Sequence, residues 1–590
     1  MRRVSRSHGF AWLAVFWSLT VACGTGQPVS SPSVSNTESR TTGTRGGTAV
    51  YRMTSAPTTF NYLLADDEPS VVTAFFLLNS RLVDFDHRSR TYVPALAESW
   101  QTASDGRTVD IKLREGLKFS DSRPLTADDV VFTLAAIYDE RTNSPAFRDS
   151  LLIDGRPIEV RAIDSLRLQL IFPQHVAAVE NYLINFAVLP SHALKADFES
   201  GKLAEVWKIN SEPKMIVTSG AFVVESLTPG ERVTLVRNPH FWKRDAAGTQ
   251  LPYLDKLVLE IVADPNKTLS SLNQNALDLA DRIRPTDYVS LTSASGPVKA
   301  VDMGPGMGTD YLWFNLNRSK KSGEQLDDKP KFRWFSDKRF RQAVSFAIDR
   351  NSISSTALRG LATPIYGFVS PANGIWADPN IPKTEYDLDK ARQQLKDAGF
   401  SFAATENAPE LLDDAGNRVE FTLLVPAGNE PRVLMAAVIQ EDLARLGIKM
   451  QVVQIEFQAI SERWSKSFDY DAILLGLAVT DFEPSSFANF LLSSGATHQW
   501  QPLQKTPATE WEARIDTLFA QQAREADPKK RAEIFREIQN IVVDESPIIP
   551  IAARHILSAA STRIGNYSPS IIMPHSLWNA EELFVKQGHY

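Results

Sequence analysis

With one cysteine in 590 residues, Cys23, the chain can form no intramolecular disulfide, no CxxC redox pair and no cysteine-based zinc site. Concentrated positive charge is also missing. Against 70 Asp and Glu there are 63 Lys and Arg, giving a net charge of −7 with no Lys/Arg block, so the electrostatic footprint of a nucleic-acid binder is absent. Long apolar runs are scarce: the one that stands out is residues 9–22 (GFAWLAVFWSLTVA). As a helix it would reach about 21 Å, short of the ~30 Å hydrocarbon core of a bilayer. Catalytic signatures are lacking as well, with no GxSxG elbow, no HExxH pair and no Walker loop. Gly304-Pro-Gly-Met-Gly308 has the wrong spacing for a dinucleotide fingerprint and reads as a loop. The nine histidines are dispersed, none paired at i, i+4. His498, His555 and His575 could meet in space, although separate surface or packing roles are the simpler reading. The expectation is therefore no enzyme, no cofactor and no resident metal.

What is present is a globular composition, 43% apolar and 23% charged. The length calls for two or more domains. Arg2, Arg3 and Arg6 precede the apolar run as the positive start of a signal peptide. Thr20-Val-Ala-Cys23 resembles the lipobox of bacterial lipoproteins, with Thr20 where Leu is usual. That resemblance implies cleavage before Cys23 and lipidation of its sulfur; a signal peptide cleaved nearby, with Cys23 a bystander, is the alternative. Cleavage there removes three arginines and takes the net charge from −7 to −10. Residues 24–47 are a Gly/Ser/Thr/Pro tether with a reach of roughly 25–30 Å. The segment predicts an exported body held near a membrane surface, periplasmic or extracellular, without being embedded in it.

From Thr48 onward strands and amphipathic helices interleave. Val109, Ile111 and Leu113 alternate as in a half-buried strand, and Ser104-Asp-Gly106 is the turn before it. Thr126 and Asp129 form a capping-box start. Asp387 opens a helix with Ala391, Leu395 and Ala398 on one face and Gly399 as its stop. Met435, Ile439, Leu443 and Leu446 mark another helical face ended by Gly447, with a strand at 448–455 behind it. Phe535, Ile538 and Val542 mark a third helix, over 532–543, which Pro547 and Pro550 prevent from continuing.

Several segments in order resemble the extracellular solute-binding proteins of family 5, which serve peptide and nickel ABC importers. They are Tyr92-Val-Pro-Ala-Leu-Ala-Glu-Ser-Trp100, Leu113-Arg-Glu-Gly-Leu-Lys-Phe119, Pro124-Leu-Thr-Ala-Asp-Asp-Val130, Arg237-Asn-Pro-His-Phe-Trp242, Leu251-Pro-Tyr-Leu-Asp255, Phe340 to Arg350 (FRQAVSFAIDR) and Glu545-Ser-Pro-Ile-Ile-Pro550. Ser122 departs from the pattern, standing where the family usually has Gly. Trp100 and Phe119 read as core aromatics, and Arg350 as a partner of a helix C-terminus. The resemblance implies an α/β, bilobed fold of the type II periplasmic-binding kind with an extra inserted subdomain. Lobe I would comprise residues 48–86, 222–312 and 550–590, the insert 87–221 and lobe II 313–549, with crossings near 310–316 and 549. A ligand would lie between lobes that close on it by hinge motion.

The implied site is the strand and turn at 470–487. Carried over position by position, a peptide main chain would pair with Gly476, Leu477 and Ala478. The family's ammonium-binding aspartate falls on Thr480, with Asp481 one residue later. A buried ammonium needs a carboxylate, so either the turn shifts to bring Asp481 forward or the ligand has no free amino terminus. Leu477 replaces the family's usual Trp; Phe457 and Tyr311 match further aromatic walls. The implied partners are a peptide, the permease subunits of an ABC transporter and, through Cys23, a membrane; the protein would work as a monomer. A non-peptide organic solute, a metal chelate, or a sensing module uncoupled from transport are the alternatives.

Overall fold

The computed structural model describes residues 41–586 apart from 154, 177, 405–408, 478–481 and 496. Cys23 and the tether up to residue 40 lie outside the described residues. Among those described, no helix is long and apolar enough to cross a membrane.

The local expectations translate directly into elements. Strand Thr108–Leu113 buries Val109, Ile111 and Leu113 and exposes the residues between. Asp129 accepts the Thr126 N–H at 2.8 Å to open helix Ala127–Tyr138. Asp387 caps helix Leu388–Asp397 through the Lys390 N–H, and Gly399 follows at φ +94°. Met435, Ile439 and Leu443 form the buried stripe of helix Glu430–Ala444. The third helix runs longer than its stripe, Pro528–Glu545, because Asp527 caps it and Pro528 suits a first helical turn. Pro550, expected as a breaker, lies inside strand Ile548–Ser561. It is tolerated there beside a register shift between Asp310 and Tyr311, where the ladder is already interrupted.

These elements assemble into two halves around separate cores. One core gathers apolar residues from Ala49 to Leu259 together with Leu279 and the C-terminal residues from Ala560 to Val585. The insert belongs to this core; its four-stranded sheet is built from Ala97–Thr102, Thr108–Leu113, Arg167–Ile171 and Glu159–Ala162 in that order. Two further cores, on opposite faces of the other half's sheet, draw on residues from Tyr311 to Ala552.

A single strand, Ile548–Ser561, joins the two sheets. Its first part pairs with Thr309–Phe314 and Ala362–Pro364, as far as Arg554 opposite Ala362. From His555 onward it pairs with Val298–Pro305 and Leu279–Asp281. The handover thus falls at Arg554 and His555, a few residues beyond the position near 549 expected from sequence. The second crossing is the link Gly306–Gly308, between Val298–Pro305 and Thr309–Phe314, just before the expected 310–316. The glycine-rich segment read as a plain loop is therefore the end of a strand plus the connection between halves. A Cβ on Gly306 would stand 2.9 Å from Ile556 Cδ1, and one on Gly308 3.0 Å from the Leu477 carbonyl oxygen. Both positions leave little room for a side chain.

Candidate functional site

In the second half, strands Glu420–Pro426, Lys449–Ile455 and Ala472–Leu477 run parallel. Their carboxyl ends share one edge of the sheet, the end at which open α/β sheets hold ligands. Strand Ala472–Leu477 pairs along its whole length with Thr309–Phe314, Gly476 opposite Asp310 and Leu477 opposite Thr309. On its other edge it pairs with Glu420–Pro426 only at Ala472 and Ile473. The neighbour then leaves: the Ala427 N–H donates to the Ile455 carbonyl, Gly428 turns at φ +76° and Asn429 caps helix Glu430–Ala444. Among the described residues no strand covers that edge from Leu474 to Leu477. An unpaired edge of this kind is a template for an added strand.

A charged cluster closes the base of this edge. Asp310, buried at the start of its strand, accepts from Arg432 Nε at 2.8 Å and from Arg554 Nε at 2.7 Å. Arg432 comes from the first turn of helix Glu430–Ala444, and Arg554 from the handover point of the long strand. Gly476 packs directly on them: a Cβ there would lie 2.5 Å from Arg432 Nη2 and 2.8 Å from Asp310 Oδ1. Next along the long strand, His555 hydrogen-bonds Asp302 through Nδ1 at 2.9 Å and Thr363 through Nε2 at 3.1 Å. Burial pushes the Asp302 carboxyl up, but the bonds from His555 and the Gly304 N–H more than offset this and hold it below the ordinary range.

The residues expected from sequence are distributed unevenly around this site. Gly476 and Leu477 lie at the end of the edge strand. Ala478, Thr480 and Asp481 lie outside the described residues. Phe457, 59% exposed, begins helix Phe457–Glu462 directly beyond strand Lys449–Ile455, at the same end of the sheet. Tyr311 does not line a cleft wall. At 1% exposure it packs against Trp313 and Phe490, and its hydroxyl donates to Gln499 Oε1 at 3.1 Å. Its side chain belongs to the core beneath the strand, and burial pushes its pKa far up. Phe482 reaches the first half, 5.8 Å from the ring of Phe85, with the Arg90 guanidinium 5.3 Å from its own ring.

The three histidines that sequence left open do not meet. His498 lies fully buried against Glu512, His555 at the handover and His575 against the Ser570 carbonyl. The largest cavity described, about 680 Å³, is lined by Asn315, Lys331, Trp334, Thr422 and Asp471 at the opposite end of the same strands. The charged cluster of Asp310, Arg432 and Arg554 escaped the sequence reading. Its members lie 122 and 244 residues apart and carry no periodic signal.

Two α/β halves joined by two crossings, with the carboxyl ends of parallel strands beside them, are the architecture of the solute-binding protein fold. Comparison with known proteins places the chain within that class. The family model for bacterial extracellular solute-binding proteins, family 5, matches residues 91–499. A "Probable ABC transporter-binding protein" of Deinococcus radiodurans is 30% identical over 89% of this chain and 90% of its own. The oligopeptide-binding protein AppA of Bacillus subtilis is 26% identical over 85% of each chain. Its structure with a nonapeptide superposes with a TM-score of 0.70, covering 92% of this chain and all of that one. The substrate-binding protein CtaP of Listeria monocytogenes superposes with a TM-score of 0.74 at 25% identity, covering 92% and 99%. The chain belongs to the family 5 extracellular solute-binding proteins.

Proposed function

We propose that this protein is the substrate-binding component of an ABC importer, taking a peptide between its two halves and delivering it to membrane permease subunits. The observation that carries the reading is the uncovered edge of strand Ala472–Leu477 at the carboxyl ends of the sheet. Such an edge grips a peptide through its main chain, whatever the side chains, and so suits a carrier of mixed peptides. The kinship with an oligopeptide-binding protein solved with a nonapeptide supports the same ligand class. In this reading Gly476, Leu477 and Ala478 supply the pairing backbone, Phe457 an apolar wall, and Asp481 or Thr480 the contact with the peptide amino terminus. Residues 48–86, 222–312 and 550–590 act as lobe I with 87–221 as its insert, and 313–549 as lobe II; the three cores and the shared strand support that division. Cys23, lipidated after removal of residues 1–22, anchors a monomeric body at the cell envelope through the tether of residues 24–47, whose last residues dock on the body, the Thr41 N–H at Asn566 Oδ1 and the Gly46 N–H at the Tyr253 carbonyl.

Native mass spectrometry of protein purified from its own envelope tests the proposal. A ladder of co-purifying peptides is expected, and it should be lost in Asp481→Asn if that carboxylate holds the peptide amine. A single non-peptide molecule bound at unit occupancy would replace the peptide reading.

A further inference from the structure

The arginine cluster at the end of the edge strand carries more charge than it neutralises. Asp310 is one carboxylate with two guanidiniums on it, a local surplus of one positive charge. Each arginine uses only its Nε on Asp310, and the terminal nitrogens of both make no hydrogen bond to any described residue. The Arg432 side chain is mostly buried, at 13% exposure, while that of Arg554 is open to solvent at 40%. The planar fork of terminal N–H groups on each guanidinium matches a carboxylate bidentately. Asp310 fixes both side chains by Nε and leaves their forks free, which pre-organises the pair for an incoming anion.

The placement singles out the ligand path. Arg432 Nη2 lies 2.5 Å from where a Cβ of Gly476 would stand, so the surplus charge adjoins the end of the strand offered for pairing. Arg554 stands at the handover between the halves, at the floor of the space between them. On the first half Arg284 makes a two-point pair with Asp287, and Arg282 pairs with Glu68.

We propose that Arg432 and Arg554, clamped on Asp310, form a carboxylate-binding subsite beside Gly476, so that the protein selects peptides presenting an anionic group at that point. The inference rests on the peptide-carrier reading and adds a charge preference to it. A carboxylate reaches the subsite either from the peptide's chain terminus or from an Asp or Glu side chain.

Isothermal titration with synthetic nonapeptides separates the possibilities. The probes are a neutral sequence with an amidated C-terminus, the same sequence with a free C-terminus, and amidated versions with one Glu moved through each position. In the native protein at least one carboxylate-bearing probe should bind tenfold or more tighter than the neutral amide. Preference for the free terminus assigns the subsite to the chain end; preference for one Glu position assigns it to a side chain. In Arg554→Gln the ratio of affinities should collapse toward one. That variant leaves Asp310 paired with Arg432, and its circular dichroism and melting temperature verify that it folds. A preference that persists in Arg554→Gln, or equal affinity for all probes in the native protein, overturns the subsite while leaving the peptide reading intact. Failure of every probe to bind the native protein would instead overturn the peptide reading itself, and the subsite with it.

Discussion

His87 illustrates how much a single buried side chain contributes here. Its Nδ1 lies 2.6 Å from Ser570 Oγ, its ring stacks on Trp578 at 4.9 Å, and Phe85 packs edge-on. Burial is the largest influence on its pKa; Asp84 and Asp86 pull it up and Arg81 and His575 push it down, leaving it at about 4 against an ordinary 6.5. The folded protein therefore holds His87 neutral where the unfolded chain would protonate it. Its contribution to stability is complete above pH 6.5 and is lost as the pH falls through about 4, a change on the order of 3 kcal/mol. Urea unfolding followed by circular dichroism at pH 7, 6, 5 and 4 should give a steeper loss for the native chain than for His87→Gln. Parallel slopes would contradict this account. Individual residue roles were legible where chemistry is local. Arg350, read from its place at a helix end, donates to the Ser345 and Ile348 carbonyls and also to Pro550 across the fold. Ser122 adopts φ +74°, the turn geometry that a glycine would accept at less cost. Tyr311 was not legible, because a strand's two faces look alike in sequence when both are apolar.

At the scale of elements, the helical stripes fixed their own faces, since burial of one side of a 3.6-residue repeat leaves little choice. The site strand gave the least warning. Its residues Ala472 to Leu475 are apolar on both faces, and its uncovered edge depends on a neighbour that turns away at Pro426 and Gly428. That departure is set by the cap at Asn429 and by packing, neither of which belongs to the strand's own sequence. The close approach at Gly476 yields a test. An alanine there would force the Arg432 guanidinium or Asp310 aside, breaking a contact between a buried carboxylate and its partner. Gly476→Ala should lose about 1–3 kcal/mol of stability. Gly416→Ala, at a turn where a Cβ meets nothing within 4 Å, should cost about 1 kcal/mol from its positive φ alone. Chemical unfolding of both variants reads the difference, and equal losses would mean that the cluster yields without cost.

At the scale of the whole molecule, the family and the two-half architecture were legible because motifs spread over most of the chain fall in the expected order. The positions of the crossings were less so, since strand register is decided by long-range pairing. A small apolar patch of Met307, Ala372 and Ile572, joined by Phe85 and Phe482, bridges the halves near the crossing. Gly306 lies beside it with Ile556 pressed close. Gly306→Val should wedge that contact apart and reduce the contraction that a bound nonapeptide produces. Small-angle scattering with and without peptide would register this as a smaller change in radius of gyration. An unaltered contraction would indicate that the halves move about some other point.

The strand Ile548–Ser561 has a consequence for how this polypeptide can be divided. Its leading residues complete one sheet and its trailing residues complete the other, so neither half owns it. A gene fragment ending before it would yield a protein with a raw seam along one side. A nick between 554 and 555 would sever a backbone cord that is knitted into both fabrics at once.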